Sequence, residues 1–291
     1  MKICLDCRQC FDLQGWSCPY CNHRPVVSGN YLTFSPELAI HNDGYSAEYF
    51  AQLIQLEASN FWFKSRNKLL IWALRAYFQS AENCLEIGCG TGFVLMGIQE
   101  AFPYLKLFGS EIFTEGLTHA QQRLLGVTLL QMDARSIPFQ AEFDLIGAFD
   151  VLEHIEEDEL VLSQMFQATK PGGGIILTVP QHRFLWSYVD EQAFHKRRYA
   201  RKELLTKVQR AGFTVERRTS FVALLLPLMM LSRLKRQLLK DEFNPVEEYN
   251  VSPRLNQWLE NILSIERFAI ARGLSFPVGG SLLVVARKIV L

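Results

Sequence analysis

The sequence predicts an α/β fold: a mainly parallel sheet covered by helices on both faces, preceded by a small metal-stapled module and interrupted late by a helical insertion. Three observations predict it. Strand-like and helix-like runs alternate from Asn83 onward, the pattern of a parallel sheet with crossover helices. Two C-x2-C pairs sit near the start, a spacing that suits a sulfur metal site. About sixty residues separate the last two strand-like runs, where short connections are usual.

Composition sets the frame. The chain has 291 residues, long for one domain but within range for one α/β domain with additions. Hydrophobic residues are 49% and charged residues 21%, enough for a sizeable core. Thirty Lys and Arg balance thirty Asp and Glu, so the formal net charge is zero. That disfavours non-specific nucleic-acid binding, which rests on an excess of cations against phosphate. Met1-Lys2 leads into cysteines and Asp6 rather than an apolar run, and no apolar run reaches the length of a spanning helix. The expectation is a cytoplasmic protein with reduced thiols, where clustered cysteines bind metal more often than they form disulfides.

The first module is 1–24. Cys4-Leu5-Asp6-Cys7 and Cys18-Pro19-Tyr20-Cys21 each put two thiolates on one side of a tight turn. Two such turns make the tetrahedral sulfur site that zinc prefers, so Cys4, Cys7, Cys18 and Cys21 are the expected ligands of a structural zinc. Cys10 and His23 stay open as alternative ligands. A stretch this short and polar has almost no core without metal. It resembles a small zinc ribbon, a form that does not by itself assign a role.

Within a connector bounded as 25–57, the pattern from Arg24 to about Tyr45 is weak and holds one strand-like piece. A helical stretch follows from Ala47 to Phe78, with Phe61, Leu69, Trp72, Leu74 and Phe78 on helical spacings. The strand-like runs are 84–88, 105–111, 127–133, 143–150, 174–180, 213–220 and 281–288. Between the first six lie helical runs, clearest at Phe93–Ala101, Glu115–Leu125, Glu156–Thr169 and Arg201–Ala211. The third has acids in its first turn and Lys170-Pro171-Gly172 at its end, which suits the helix dipole and a sharp stop. The insertion, 221–278, holds the apolar run Phe221–Leu231, a basic segment (Arg233, Lys235, Arg236, Lys240) and a helix expected from Ser252-Pro253 to Gly273. Leu255, Leu259, Ile262 and Phe268 fall near one face of that helix.

The chemistry is carried by Glu86-Ile87-Gly88-Cys89-Gly90-Thr91-Gly92, between the first strand and its helix. Glycines let the backbone turn tightly and let a ligand approach the main chain. The spacing is G-x-G-x-G; the next position of a dinucleotide fingerprint would be Phe93, which fails it. A carboxylate at Glu86 repels a pyrophosphate and attracts an amine. Three more acids end successive strands. Glu111 can take ribose hydroxyls, Asp133 an adenine amino group, and Asp150 ends the fourth strand. Ligands of such sheets bind at this carboxyl edge.

This ordered set resembles the class I S-adenosylmethionine-dependent methyltransferases, over about Ala58 to Lys288. Within them it is similar to the type 11/12 group related to the ubiquinone-biosynthesis O-methyltransferases. EIGCGTG, DVLEHI, KPGGGIILTVP and RAGF carry the likeness, and SNFWFKSRNKLL and VPQHRFLWSYVDEQAFHKRRYARKEL narrow it toward members found with sugar or polyprenyl-lipid assembly. The resemblance implies a Rossmann-like seven-stranded sheet, order 3-2-1-4-5-7-6 with strand 7 antiparallel, making 58–291 a methyltransferase domain. It implies that Phe63 and Arg66 close over the cofactor and that Gly88, Gly90 and Gly92 bound its methionine part. Glu86, Glu111 with Ile112, Asp133, Ala134 and Asp150 complete the cofactor set.

The implied donor is a sulfonium cation, so catalysis consists largely of holding acceptor and methyl in line. An oxygen or neutral nitrogen acceptor also needs a base. His154 is the first candidate, with His182 and His195 after the fifth strand. Asp150, Glu153 and His154 also offer ligand types for a divalent ion. His195-Lys196-Arg197-Arg198-Tyr199 suits a clamp on a phosphate or carboxylate, and 221–240 suits a lid over a greasy acceptor or a peripheral membrane contact. The expectation is O-methylation, with nitrogen open, of a small, sugar-linked or lipid-linked acceptor. An RNA methyltransferase that docks nucleic acid through the ribbon, and a non-catalytic binding module, are the competing readings.

Overall fold

A computed structural model describes residues 1–40, 47–239 and 251–289. The ribbon contains one short antiparallel pair, β1 (Lys2–Ile3) and β2 (Cys10–Phe11). A second hairpin, β3 (Val26–Ser28) and β4 (Tyr31–Thr33), turns at Gly29, whose φ of 57° suits a two-residue connection. Helices α1 (Pro36–Ile40), α2 (Ala47–Glu57) and α3 (Phe61–Tyr77) lead into the alternating part. There β5 (Asn83–Ile87), α4 (Phe93–Ala101), β6 (Lys106–Glu111), α5 (Thr114–Arg123), β7 (Thr128–Gln131) and β8 (Phe143–Phe149) follow in turn. They are succeeded by α6 (Asp158–Ala168), β9 (Thr169–Pro180), α7 (Tyr188–Gln192), α8 (Arg201–Arg210) and β10 (Thr214–Phe221). The insertion supplies α9 (Leu226–Leu239) and α10 (Pro253–Ala271) before β11 (Ser281–Arg287) closes the sheet.

The sheet order is β10-β11-β9-β8-β5-β6-β7-β4-β3. From β9 to β4 every pairing is parallel, while β11 runs antiparallel between β9 and β10. The parallel strands are buried on both faces. Leu85, Leu145, Ile146, Ile175, Ile176 and Leu177 expose essentially nothing, as expected where helices cover both sides. This puts the carboxyl ends of β5, β6, β7 and β8 side by side on one edge.

Four features differ from the sequence expectation. Among the described residues the sheet has nine strands rather than seven, because β3 and β4 from the stretch read as a connector add to the β7 edge. The helical stretch expected over Ala47–Phe78 is broken, since Asn60 leaves helical geometry and its side chain accepts from the Trp62 N–H to start α3. Strand β9 begins at Thr169 and runs through the Lys170-Pro171-Gly172 stretch expected to be a helix end. On α10, Leu259, Leu263 and Ile270 are buried, whereas Leu255 and Phe268 are exposed. The buried stripe follows the surface of α3, with Lys64 and Lys68 both pairing Glu260 at 2.6 and 2.7 Å. Ser252 caps α10, Pro253 opens it and Gly273, at φ 101°, follows its end. Lys240 and residues 41–46 lie outside the described residues, and of Lys235 and Arg236 only the backbone is described. Among the described residues no helix is long and apolar enough to cross a membrane.

Candidate active site

The loop after β5 forms because its glycines take up left-handed backbone. Gly88 has φ 67° and Gly90 φ 50°. A Cβ on Gly88 would come 2.5 Å from Val151 Cγ2, whereas a Cβ on Gly90 would meet nothing within 4 Å among the described residues. Gly90 therefore leaves its main chain open to a ligand. Gly92 does something else: at φ 78° it heads α4, and a Cβ there would press on Leu124 and Ala120 of the α5 region.

The loop opens into a cavity of about 990 Å³, at the upper end of the range for ligand sites. Phe63, Arg66, Glu86, Gly88 and Gly90 line it, together with Glu111, Ile112, Asp133, Ala134 and Asp150. His154 and His195 line it as well. Gly92 and His182 are not among its lining residues. His182 sits at a tight turn with φ 65° and its ring stacked on Phe184.

The electrostatics of the acids differ one by one. Glu86 is buried and its Oε2 finds no partner among the described residues. Burial pushes its carboxyl well above the ordinary range, with further upward push from Glu111 and Glu57 that Arg66 partly offsets. An ammonium group placed against it would supply the missing partner. Burial also raises Glu111, against the N–H groups of Gly90, Ile112 and Phe113 that donate to it at 3.0, 2.7 and 3.1 Å. Asp133 accepts from the Arg135 backbone at 2.9 Å and pairs its guanidinium. Asp150 holds a left-handed φ of 59° and accepts from Arg66 and from Thr178 Oγ1. The Arg66 guanidinium lies over the Trp62 ring at 4.5 Å, which fixes it above the cleft.

Beyond Asp150 the cavity turns polar. Glu153 is buried with neither carboxylate oxygen hydrogen-bonded among the described residues, and burial followed by the Asp150 charge raises it well above the usual range. His154 and His195 meet edge to face at 4.8 Å. Burial, then the neighbouring His195, lowers His154 to about 3, so its ring is neutral near pH 7. Glu153, His154 and His195 bring ligand atoms within 4.8 Å of one another and could hold a metal ion. The expected set of Asp150, Glu153 and His154 is thus regrouped, with Asp150 taken up by Arg66 and His195 drawn in.

Asp190 organises this end. It is fully buried and pairs His195 Nδ1 at 2.9 Å, Arg198 Nε at 2.6 Å and Arg233 Nη1 at 3.2 Å. Burial pushes its carboxyl up, but the His195 hydrogen bond and the Arg198 and Arg233 charges prevail and hold it well below the usual range. The basic tract is mostly spent inside the fold. Arg197 pairs Glu156 and Asp158, Arg198 is buried on Asp190, and the Tyr199 hydroxyl donates to Asp158 at 2.6 Å. His195, Lys196 and Arg198 still line the cavity. On the far wall stand Val222, Leu225, Leu228 and Met229 from the insertion.

Several functional positions have no counterpart in the sequence reading. Glu57 at the end of α2 accepts from Thr91 Oγ1 at 2.7 Å and pairs Arg123 at 2.8 Å, tying the glycine loop to two helices. No local motif marks Glu57. Asp190 had a legible trace: Ser187-x-x-Asp190 is a helix-start pattern, and the Ser187 N–H donates to Asp190 at 2.9 Å. In the ribbon, Cys4 Sγ lies 3.5 Å from Cys21 Sγ, and Cys7 Sγ lies 3.6 Å from Cys18 Sγ, with all four within 4.8 Å. A tetrahedron of Zn–S bonds of about 2.3 Å has edges of about 3.8 Å, so the four sulfurs fit a metal ion. Cys10 and His23 stand outside this group.

The family model of a methyltransferase domain matches residues 54–218. The chain belongs to that family. A Mycolicibacterium smegmatis protein named as a probable S-adenosylmethionine-dependent methyltransferase is 25% identical over 165 residues, 55% of this chain and 62% of that protein. The trans-aconitate 2-methyltransferase of an Azoarcus species is 27% identical over 108 residues, 37% of this chain and 43% of that enzyme. The match thus spans less than two thirds of either relative. Among solved structures, a Haemonchus contortus phosphoethanolamine N-methyltransferase with bound S-adenosylmethionine superposes with a TM-score of 0.57 at 19% identity, covering 91% of this chain and 61% of that one. At that identity the likeness is one of fold. The architecture is that of the class I S-adenosylmethionine-dependent methyltransferases, with the glycine loop and the acids at the carboxyl edge of the sheet.

Proposed function

We propose that this methyltransferase-family chain transfers a methyl group from S-adenosylmethionine to an oxygen of a small, sugar-linked or lipid-linked acceptor. One observation carries the reading: one cavity joins Glu86, whose Oε2 has no partner among the described residues, and the open Gly90 main chain to a His195 held by Asp190. S-adenosylmethionine, when bound, supplies an electrophilic methyl on a sulfonium. Glu86 receives an ammonium group, Glu111 and Asp133 offer acceptors to hydroxyl and amino groups, and Phe63 with Arg66 covers the cleft. The Asp190 carboxylate accepts from His195 Nδ1 at 2.9 Å, which orients the ring with Nε2, 4.0 Å from Glu153 Oε1, as the atom that takes the acceptor's proton. A hydroxyl acceptor needs such a base, whereas an unprotonated amine needs it less, and this favours oxygen.

The chamber walls support the acceptor class. Leu225, Leu228 and Met229 offer an apolar side, and Leu228 also remains 45% exposed, so the chamber opens to solvent beside α9. Lys196, Arg198 and Arg233 line the chamber too, with Arg198 and Arg233 paired to Asp190, so of these three Lys196 is the cation left to meet a carboxylate or phosphate on the acceptor. The four-cysteine site of the ribbon we assign to structural zinc, on its thiolate set and sulfur spacing. The test is binding followed by product analysis. Calorimetry is expected to show S-adenosylmethionine binding that Gly90→Arg abolishes. Radiolabelled methyl transfer to a panel of hydroxylated lipid- and sugar-linked acceptors is expected to label oxygen. No binding by the wild-type chain refutes the enzyme reading, and label recovered on nitrogen or on RNA refutes the acceptor.

A further inference from the structure

We infer that the N-terminal ribbon is a strut for the adenine end of the cofactor cleft, so that metal loading of the four cysteines sets cofactor affinity. The inference rests on the cofactor and zinc readings above. It comes from where the ribbon docks. Its first strand does not line the acceptor chamber but pairs with the loop that follows Asp133. The Ile3 N–H donates to the Pro138 carbonyl at 3.0 Å, the Gln140 N–H donates to the Met1 carbonyl at 2.9 Å, and Lys2 pairs antiparallel with Phe139. Cys4 follows directly, so a metal-holding turn begins one residue beyond this pairing.

Two side-chain contacts reinforce it. Trp16 lies between Phe34 and Phe139, edge to face at 4.8 and 5.4 Å, and Phe139 in turn meets Phe108 and Phe143 beneath the sheet. Arg8, whose N–H donates to the Cys4 carbonyl within the first cysteine turn, reaches the Ser136 hydroxyl at 3.3 Å. The Ser136 N–H donates to the Asp133 carbonyl at 3.0 Å. A chain of contacts thus runs from the cysteine turn through Arg8 and Ser136 to the acid proposed to take the adenine amino group. The ribbon cannot hold this shape on apolar packing, because its own core is Phe11 with the cysteines around it. Without metal the turn at Cys4–Arg8 loses its organising bonds, and the loop at 133–140 loses one of its walls.

The test compares S-adenosylhomocysteine binding by calorimetry in the zinc-loaded chain, the chain stripped with a chelator, and Trp16→Ala with its zinc content verified by metal analysis. Tyr20→Ala, at an exposed ribbon position, is the control. The stripped chain is expected to bind about tenfold more weakly, the effect of losing one well-placed polar contact. Hydrogen exchange is expected to rise at 133–140 and stay low at 84–92. Trp16→Ala is expected to weaken binding with zinc retained, and Tyr20→Ala to match the wild type. Affinity unchanged within twofold in both the stripped chain and Trp16→Ala overturns the inference. If stripping unfolds the whole chain, the folded Trp16→Ala variant decides alone, in either direction. Wild-type protein that binds no S-adenosylhomocysteine refutes the cofactor reading instead.

Discussion

Removing Glu57 isolates a support of the glycine loop that carries no motif. Its carboxylate is buried, accepts from Thr91 Oγ1 at 2.7 Å with both oxygens, and pairs Arg123 Nη1 at 2.8 Å. In Glu57→Ala the Thr91 hydroxyl loses its acceptor and Arg123 loses its counter-charge. Breaking a buried ion pair from one side costs roughly 3–5 kcal/mol. Here the Arg123 side chain is 15% exposed, and its Nη1 also donates to the Thr91 carbonyl at 3.2 Å. Both soften the loss, so the expectation falls to about 2–3 kcal/mol. Glu57→Gln keeps an acceptor for Thr91 and loses only the charge, so it should cost about half as much. Urea denaturation followed by circular dichroism gives these values, and the cycle with Arg123→Ala gives the coupling, expected at about 1–3 kcal/mol. S-adenosylhomocysteine affinity should fall alongside, because Thr91 sits beside Gly90. A coupling energy under about 0.5 kcal/mol would refute the reasoning, since such a pair would be no stronger than one on the surface.

Glu86→Gln should stabilise the ligand-free chain at neutral pH while weakening cofactor binding. Its carboxyl is raised in the fold by burial, so the folded state holds the proton longer than the unfolded state. Stability contributed there fades as pH climbs past the unfolded value near 4.5, and melting curves of wild type and variant should diverge in that direction. His154 has the opposite sign, because burial and His195 depress it to about 3. The unfolded chain binds a proton that the fold rejects, so each pH unit below about 6.5 removes up to about 1.4 kcal/mol. His154→Gln, with His195 and Lys196 still facing it, should flatten that acid limb relative to wild type in denaturation between pH 6 and 4. His195→Gln should lower methyl transfer by roughly 10²- to 10⁴-fold with little change in cofactor affinity, and an unchanged turnover would remove it as the base. Gly90→Val should abolish cofactor binding while leaving the melting temperature close to wild type apart from the strain of a side chain at φ 50°.

The sequence by itself determined what short windows encode. The glycine loop, the acids at successive strand ends, the cysteine pairs, and the Ser252-Pro253 start and Gly273 stop of α10 are all read within a few residues. The tertiary structure alone decided what depends on long-range contacts. Glu57 meets Arg123 across 66 positions, and Ile3 meets Pro138 across more than a hundred. His154 was legible as an imidazole near the site, but only packing against His195 and its surroundings made it a half-buried, neutral one. The tract from His195 to Tyr199 read as a ligand clamp, yet Arg197 and Tyr199 turn to Asp158 and Arg198 to Asp190. The two-residue pairing of Lys2–Ile3 has too short a pattern to announce which loop it will join. The physical reason is common to all of these. A turn or a cap is stabilised by neighbours in the chain, whereas burial and charge pairing belong to whichever distant groups the fold brings within a few ångströms.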